Sequence, residues 1–150
     1  MGPLELRTLK GLVLSGCTDI MGYEALDFYD VDSLLTDEER MIRDAVRDWV
    51  DESVIPKIEN ACRDGVFLDE WRQEIGSMGI LGAPLKGYGC PGLSYTAYGV
   101  ICRELERGDS GIRSFASVQG SLAMYPIWDF GSEDQKEKYL PRMATGELIG

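Results

Sequence analysis

The chain has 150 residues, 44% of them apolar and 27% charged, with a formal net charge of −11 and no histidine. Acidity on this scale argues against nucleic acid or an anionic membrane as partner, because phosphate binding needs a basic face. Without histidine there is no Ser-His or Cys-His nucleophile pair, no HExxH metal site and no imidazole general base.

The length suits one domain with a real core. No apolar run approaches the roughly 18 residues of a membrane span, so a soluble domain is expected. Cys17, Cys62, Cys90 and Cys102 show no CxxC spacing, which argues against a zinc or thioredoxin-type site. Reduced, mostly buried thiols are expected.

Residues 1–22 differ in character from the rest of the chain. Leu14-Ser15-Gly16-Cys17 has the look of a lipoprotein cleavage box, but the apolar run before it is too short for a signal h-region. Neither Met1-Gly2 nor Met21-Gly22 is followed by a myristoylation signal. This segment is expected to be a disordered extension, with Met21 as a candidate initiator, and residues 23–150 to form the domain.

From Leu34 the pattern turns helical. Thr36 and Glu39 have capping-box spacing, and Met41, Ile42, Ala45, Val46, Trp49, Val50 and Val54 make one apolar stripe. Pro56 is expected to stop this helix. Asp69 is expected to cap a second helix that carries Trp71, Ile75 and Met78 inward and ends at Gly79. The Gly- and Pro-rich span 79–92 reads as a tight structural loop, since GYGCPG matches no phosphate-cradle spacing. Ser94 caps a third helix, with Tyr98, Ile101, Cys102 and Leu105 on one face and Arg103, Glu104 and Arg107 largely on the other. After Gly108, Asp109 or Ser110 caps a fourth helix, which Pro126 bends or ends early and Gly131 closes. Its many small residues, Ser114 to Ala123, would let another element or a flat ligand come close. Ser132 and Gln135 give a second capping box for a last helix, broken at an unassigned point by Pro141 and ended by Gly146. No strand is expected. The fold expected is all-α, a helical bundle of about five helices.

Arg113 stands among small and apolar neighbours rather than in a charge run. Asp109 four residues earlier permits an ordinary surface ion pair. The other reading is a guanidinium held for an acidic ligand.

Three segments carry a resemblance: LLTDEERMIRDAVRDWV, MGILGAPLKGYGCPGLSYTAYG, and ELERGDSGIRSFASVQGSLAMYPIWDFGSEDQKEKYLPRMATGELIG. Together, residues from about Phe28 to Gly150 resemble the N-terminal helical domain of the acyl-CoA dehydrogenases. The KGYGCPG loop followed by ELER-x-DSG-x-RS is most similar to glutaryl-CoA dehydrogenase, and KGYGCPGLS also occurs in short-chain acyl-CoA oxidases. The resemblance implies that Arg113 and Ser114 contact the distal carboxylate of a glutaryl chain, with Glu106 orienting the arginine. It implies FAD held mainly by regions outside these residues, a catalytic glutamate also outside them, electron-transfer flavoprotein as partner, and a homo-oligomer, a tetramer in the whole enzyme. It also implies a cytoplasmic setting, or the mitochondrial matrix in a eukaryote. No catalytic, cofactor-binding or metal residue is assigned within the chain, and the segment by itself is expected to be inactive. Tyr125 and Trp128 are expected in the core rather than at flavin. The rival readings are a short-chain acyl-CoA dehydrogenase or oxidase domain, and a non-catalytic acidic helical module binding protein or CoA ligands.

Overall fold

The computed structural model describes residues 28–150; the extension expected over 1–22, Cys17 and the candidate start at Met21 lie outside them. The chain divides into two compact units at Leu34/Leu35. In the first, the described part holds a 3-10 turn, Val31–Leu34, with the Ser33 hydroxyl donating to the Asp30 carbonyl. The second unit, residues 35–150, is the helical bundle.

Helix α1 spans Asp37–Trp49. Its capping box is present: the Thr36 hydroxyl accepts from Glu39 N–H and the Glu39 carboxylate accepts from Thr36 N–H. Ser94 at the start of a later helix also donates to Glu39 at 2.8 Å, so one carboxylate fixes two helix starts. Val46 and Val50 are buried as the stripe requires, whereas Met41 and Ala45 stay exposed along an aliphatic groove with Ile80 and Leu93.

Pro56 does not stop this helix. A π-helical segment, Val50–Val54, in which Ile55 N–H donates five residues back to the Val50 carbonyl, leads directly into α2, Ile55–Asp64. Proline lacks a donor and its ring collides with the carbonyl four residues back. Widening the preceding turn removes that collision, and Pro56 falls in the first turn of α2, where a missing N–H costs nothing. Trp71 Nε1 donates to the Ser53 carbonyl at 3.0 Å, satisfying an acceptor in the widened turn. Gly65 at φ 66° closes α2.

Helix α3, Asp69–Ser77, is capped by Leu68 with no side-chain bond. Asp69 is its first helical residue instead, placed to favour the positive end of the dipole. Trp71 and Ile75 are buried as expected, and Gly79 at φ 71° ends the next turn.

The Gly-Pro span forms a loop, and it contains one strand pair that periodicity did not announce. Strands β1, Lys86–Gly87, and β2, Cys90–Pro91, pair antiparallel in the register Lys86↔Pro91 and Gly87↔Cys90. The two residues between them, Tyr88 and Gly89, have φ of 54° and 84°, the twist a two-residue hairpin requires. Two-residue strands are too short to show alternation.

Helix α4, Tyr95–Gly108, starts at Ser94, whose hydroxyl accepts from Ala97 N–H at 3.0 Å. Asp109, not Ser110, caps α5, Ser110–Ser117, by accepting from Ile112 N–H. A second π-helical segment, Val118–Met124, precedes Pro126 and passes into α6, Tyr125–Phe130. The proline is again accommodated by a wide turn rather than a break. Helix α7, Glu133–Ala144, has the second capping box. Pro141 lies inside it, near its last turn, and Gly146 at φ 75° comes just after.

The result is five continuous helical rods around a core of Val50, Trp71, Ile75, Leu81, Ile101, Leu105, Ile112, Met124 and Leu140. The small residues on the fourth rod serve the loop: a Cβ on Gly120 would sit 3.3 Å from Gly82 N.

One polar group expected on the surface is buried. Glu104 is 1% exposed and accepts from Arg47 at 2.9 and 3.1 Å, from Arg107 at 3.1 Å and from Arg103 at 3.2 and 3.3 Å. Arg107 also donates to Asp51 at 2.7 Å. The α4 face expected to be solvated is therefore the seam against α1, and Glu104 is held there by cations from both helices. Among the described residues the cysteines are free thiols, but Cys62 is exposed, Cys102 half-buried and Cys90 buried, so "mostly buried" does not describe them.

Candidate functional site

Helix α4 and the start of the fourth rod are joined by Asp109 alone, so the second runs back along the first. Each presents one residue per turn along the seam: Tyr98, Cys102 and Glu106 on α4, then Arg113, Ser117 and Ser121 on the other rod. At the connecting end Arg113 Nε donates to Glu106 Oε2 at 2.7 Å. This ion pair replaces the Asp109–Arg113 surface pair, because the Asp109 carboxylate is occupied at the helix cap. At the far end Tyr98 and Ser121 line a cavity of about 210 Å³ with Pro84, Leu85, Tyr95, Gly120 and Tyr125.

Arg113 keeps about a third of its side chain exposed (35%). Its hydrogen bond to Glu106 raises its pKa, so it is a cation at every working pH. Nη1 donates to the Ser117 hydroxyl at 3.2 Å, and the Ser117 hydroxyl in turn donates to the Ser114 carbonyl at 3.1 Å. The guanidinium is thus steered from both sides. Nη2 has no protein partner among the described residues.

The charge of Arg113 reaches Cys102 and Tyr98. Burial first, then the contact with Cys102, pushes the Tyr98 phenol up to about 12. Burial raises the Cys102 thiol as well, outweighing Tyr98 and Arg113. Both groups are neutral at ordinary pH. The seam therefore grades from charged at Glu106–Arg113 to neutral and apolar at the cavity.

Of the three residues singled out in the sequence, Arg113 and Glu106 are brought together. Ser114 is half-buried on the same helix, but the hydroxyl touching the guanidinium is that of Ser117, one turn further on. Ser117 and Tyr98 were missed. The four-residue spacing from Arg113 to Ser117 and from Tyr98 to Cys102 was the available signal. Tyr125 is 40% exposed at the cavity rim instead of lying in the core, while Trp128 is half-buried and donates from Nε1 to the Lys86 carbonyl at 2.9 Å.

Fold and site define a mainly helical domain with an apolar, tyrosine-lined cavity at one end of a helix seam and a braced arginine at the other. The sequence model of the acyl-CoA dehydrogenase N-terminal domain matches residues 36–147, and the chain belongs to that family. A glutaryl-CoA dehydrogenase from Mycobacterium smegmatis, solved in complex with FADH2, is similar with a TM-score of 0.81 at 47% identity, covering 83% of this chain and 32% of its own. The butyryl-CoA dehydrogenase of Megasphaera elsdenii gives a TM-score of 0.71 at 30% identity, over 83% of this chain and 32% of its own. Among curated relatives, the mitochondrial isovaleryl-CoA dehydrogenase of Pongo abelii is 32% identical over 120 residues, 77% of this chain and 28% of the relative. The chain spans about a third or less of the length of these relatives.

Proposed function

We propose that residues 23–150 are the substrate-side helical domain of an FAD-dependent acyl-CoA dehydrogenase whose substrate is glutaryl-CoA. The observation that carries the reading is Arg113, braced by Glu106 and Ser117 with Nη2 left for a ligand, on a helix seam whose other end opens on an apolar cavity. An acyl chain suits the cavity lining, and a terminal carboxylate suits the planar fork of an arginine. Ser114 on the same helix is a further neutral donor. The higher identity to glutaryl-CoA dehydrogenase than to butyryl-CoA dehydrogenase supports the same choice. A monocarboxylic chain would strip water from the guanidinium and return no hydrogen bond, so it is disfavoured.

The cavity lining carries no cation, so these residues fit an acyl chain and not the pyrophosphate of FAD. In the whole protein FAD would accept hydride from the substrate, and no residue described here is assigned to holding it. Transfer of electrons to an electron-transfer flavoprotein, decarboxylation to crotonyl-CoA and a homotetrameric assembly belong to the same proposal, as does a setting in the cytoplasm or mitochondrial matrix.

The test is Arg113→Gln in the whole protein encoded by the native gene. Glutaryl-CoA kcat/KM is expected to fall on the order of a hundredfold, the effect of losing charged hydrogen bonds to a ligand, with butyryl-CoA activity nearly unchanged. Equal losses on both substrates refute the carboxylate role.

A further inference from the structure

Besides α4, two stretches of chain line the cavity: Pro84 and Leu85 in the loop leading into β1, and Gly120, Ser121 and Tyr125 on the fourth rod. The width of the cavity follows from how those two stretches are held against each other. Upstream of Pro84 the spacing is set by backbone, since a Cβ on Gly120 would lie 3.3 Å from Gly82 N and 3.6 Å from Gly82 Cα. Leu85 N–H donates to the Gly82 carbonyl at 2.8 Å, so residues 82–85 form one closed turn. Downstream of that turn the tie is a single side chain. Trp128 on α6 donates from Nε1 to the Lys86 carbonyl at 2.9 Å. The hairpin cannot supply this donor from across the strands, because Lys86 stands opposite Pro91 and proline has no N–H.

The same indole packs on Tyr125, with ring centroids 6.1 Å apart and planes tilted by 32°, inside the favourable range for an aromatic pair. Tyr125 is on the cavity rim. One half-buried side chain thus touches both linings while standing behind them. At the hairpin tip the Tyr88 hydroxyl donates to Glu133 at the start of α7, so loss of the Trp128 bond would slacken the Pro84–Leu85 lining without releasing the hairpin. The cavity, at about 210 Å³, is smaller than the roughly 300–1,000 Å³ of pockets for drug-sized ligands. It suits a short acyl chain, and a longer one needs a lining to give way.

We infer that Trp128 is a positioning residue that sets the chain length the cavity accepts, by tying the Pro84–Leu85 lining to the rod that carries Tyr125. This deepens the reading of the cavity as the acyl site and rests on it. Trp128 touches no substrate. It acts through Lys86 on one side and Tyr125 on the other, and the two contacts use different parts of the indole: the N–H holds the loop and the ring face holds the tyrosine.

The experiment measures kcat and KM of the whole FAD-loaded protein with glutaryl-CoA and with pimelyl-CoA, whose chain is two methylenes longer. Both chains end in a carboxylate, so any contact with Arg113 is common to the two. Trp128→Phe keeps a ring against Tyr125 and removes the donor. It is expected to lower the ratio of the pimelyl-CoA KM to the glutaryl-CoA KM about fivefold, the worth of one neutral hydrogen bond, with the change in KM rather than kcat. A general structural defect would move both substrates alike and leave the ratio in place. Leu85→Ala widens the lining directly and is expected to shift the ratio in the same direction. Adding Trp128→Phe to it should then lower the ratio by less than the two effects combined, since both act on one lining. Should Trp128→Phe fail to fold, Trp128→Leu carries the same expectation. If Leu85→Ala lowers the ratio and the Trp128 variants do not, or if the two effects simply add, the role of Trp128 is overturned and the cavity reading stands. If no variant moves the ratio, the cavity is not the acyl site and both readings fall.

Discussion

Replacing Glu104 by Gln keeps the volume and removes the charge on which three arginines converge. Burial pushes the Glu104 carboxyl up, but the hydrogen bonds and charges of Arg47, Arg107 and Arg103 together outweigh it and hold the pKa below the ordinary 4.5. Removing one partner of a fully buried ion pair costs about 3–5 kcal/mol. Here the carboxylate is buried, but Arg47, Arg107 and Arg103 keep 42%, 39% and 45% of their side chains exposed, so water hydrates part of the orphaned charge. The substituted amide would also retain one carbonyl acceptor. The expected cost is therefore about 2 kcal/mol, in the range of one or two charged hydrogen bonds. In a domain of this size that is a fall in Tm of roughly 8 °C. The pH dependence gives the sharper check. Since the folded pKa is depressed, the carboxylate contributes stability fully above its unfolded value and loses it as pH falls through the folded one. Wild type and Glu104→Gln should therefore differ by the full amount at pH 7 and converge as pH drops below 4.5. The assay is urea unfolding at both pH values. A difference under about 0.5 kcal/mol at pH 7, or one that persists undiminished at low pH, would refute the reasoning.

Two further substitutions test the packing that places α4 and the fourth rod. A Cβ on Gly108 would lie 2.7 Å from Val50 Cγ1 and 3.3 Å from Val54 Cγ1, so Gly108→Ala should destabilise by about 1–2 kcal/mol through overpacking, despite the better helix propensity of alanine; thermal unfolding reads it directly, and a stabilised variant would contradict the tight seam. Gln119 is 1% exposed, donates to the Leu148 carbonyl at 2.8 Å and accepts from Gly150 N–H at 3.0 Å. Gln119→Leu should cost about 1–3 kcal/mol by stranding those groups and should speed hydrogen exchange at the Gly150 amide; unchanged exchange there would count against the tie.

The capping boxes at Thr36 and Ser132 were readable because both partners lie within four residues, so local spacing fixes the geometry. The same holds for Ser94 and for Gly146 after α7. Glu104 was not readable. On α4 alone it sits beside Arg103 and Arg107, the pattern of a solvated face, and what buries it is Arg47, which is 57 residues away in sequence. Arg113 shows the same divide: the sequence offered Asp109 as a local partner, but the cap had first claim on that carboxylate and the arginine turned to Glu106. Tyr98 and Ser117 became visible as site residues only once two helices lay side by side, since neither type marks a site by itself. The prolines misled for a related reason. A rule about which donor is missing says where an α-helix is strained, not how the chain relieves the strain.

That relief has a consequence for how the chain tolerates change. Each π-helical segment holds one residue more than a plain α-helical path would need, and one residue turns a helix by about 100°. Val50–Val54 and Val118–Met124 thus act as phase shifters: the faces shown before and after each belong to different angular registers. A single deletion there removes the extra residue and lets the segment close as plain α-helix with the flanking faces in place, but it also removes the wide turn that precedes Pro56 or Pro126. At these two places what the chain spends is one residue, and what it gains is room for a proline inside a continuous rod.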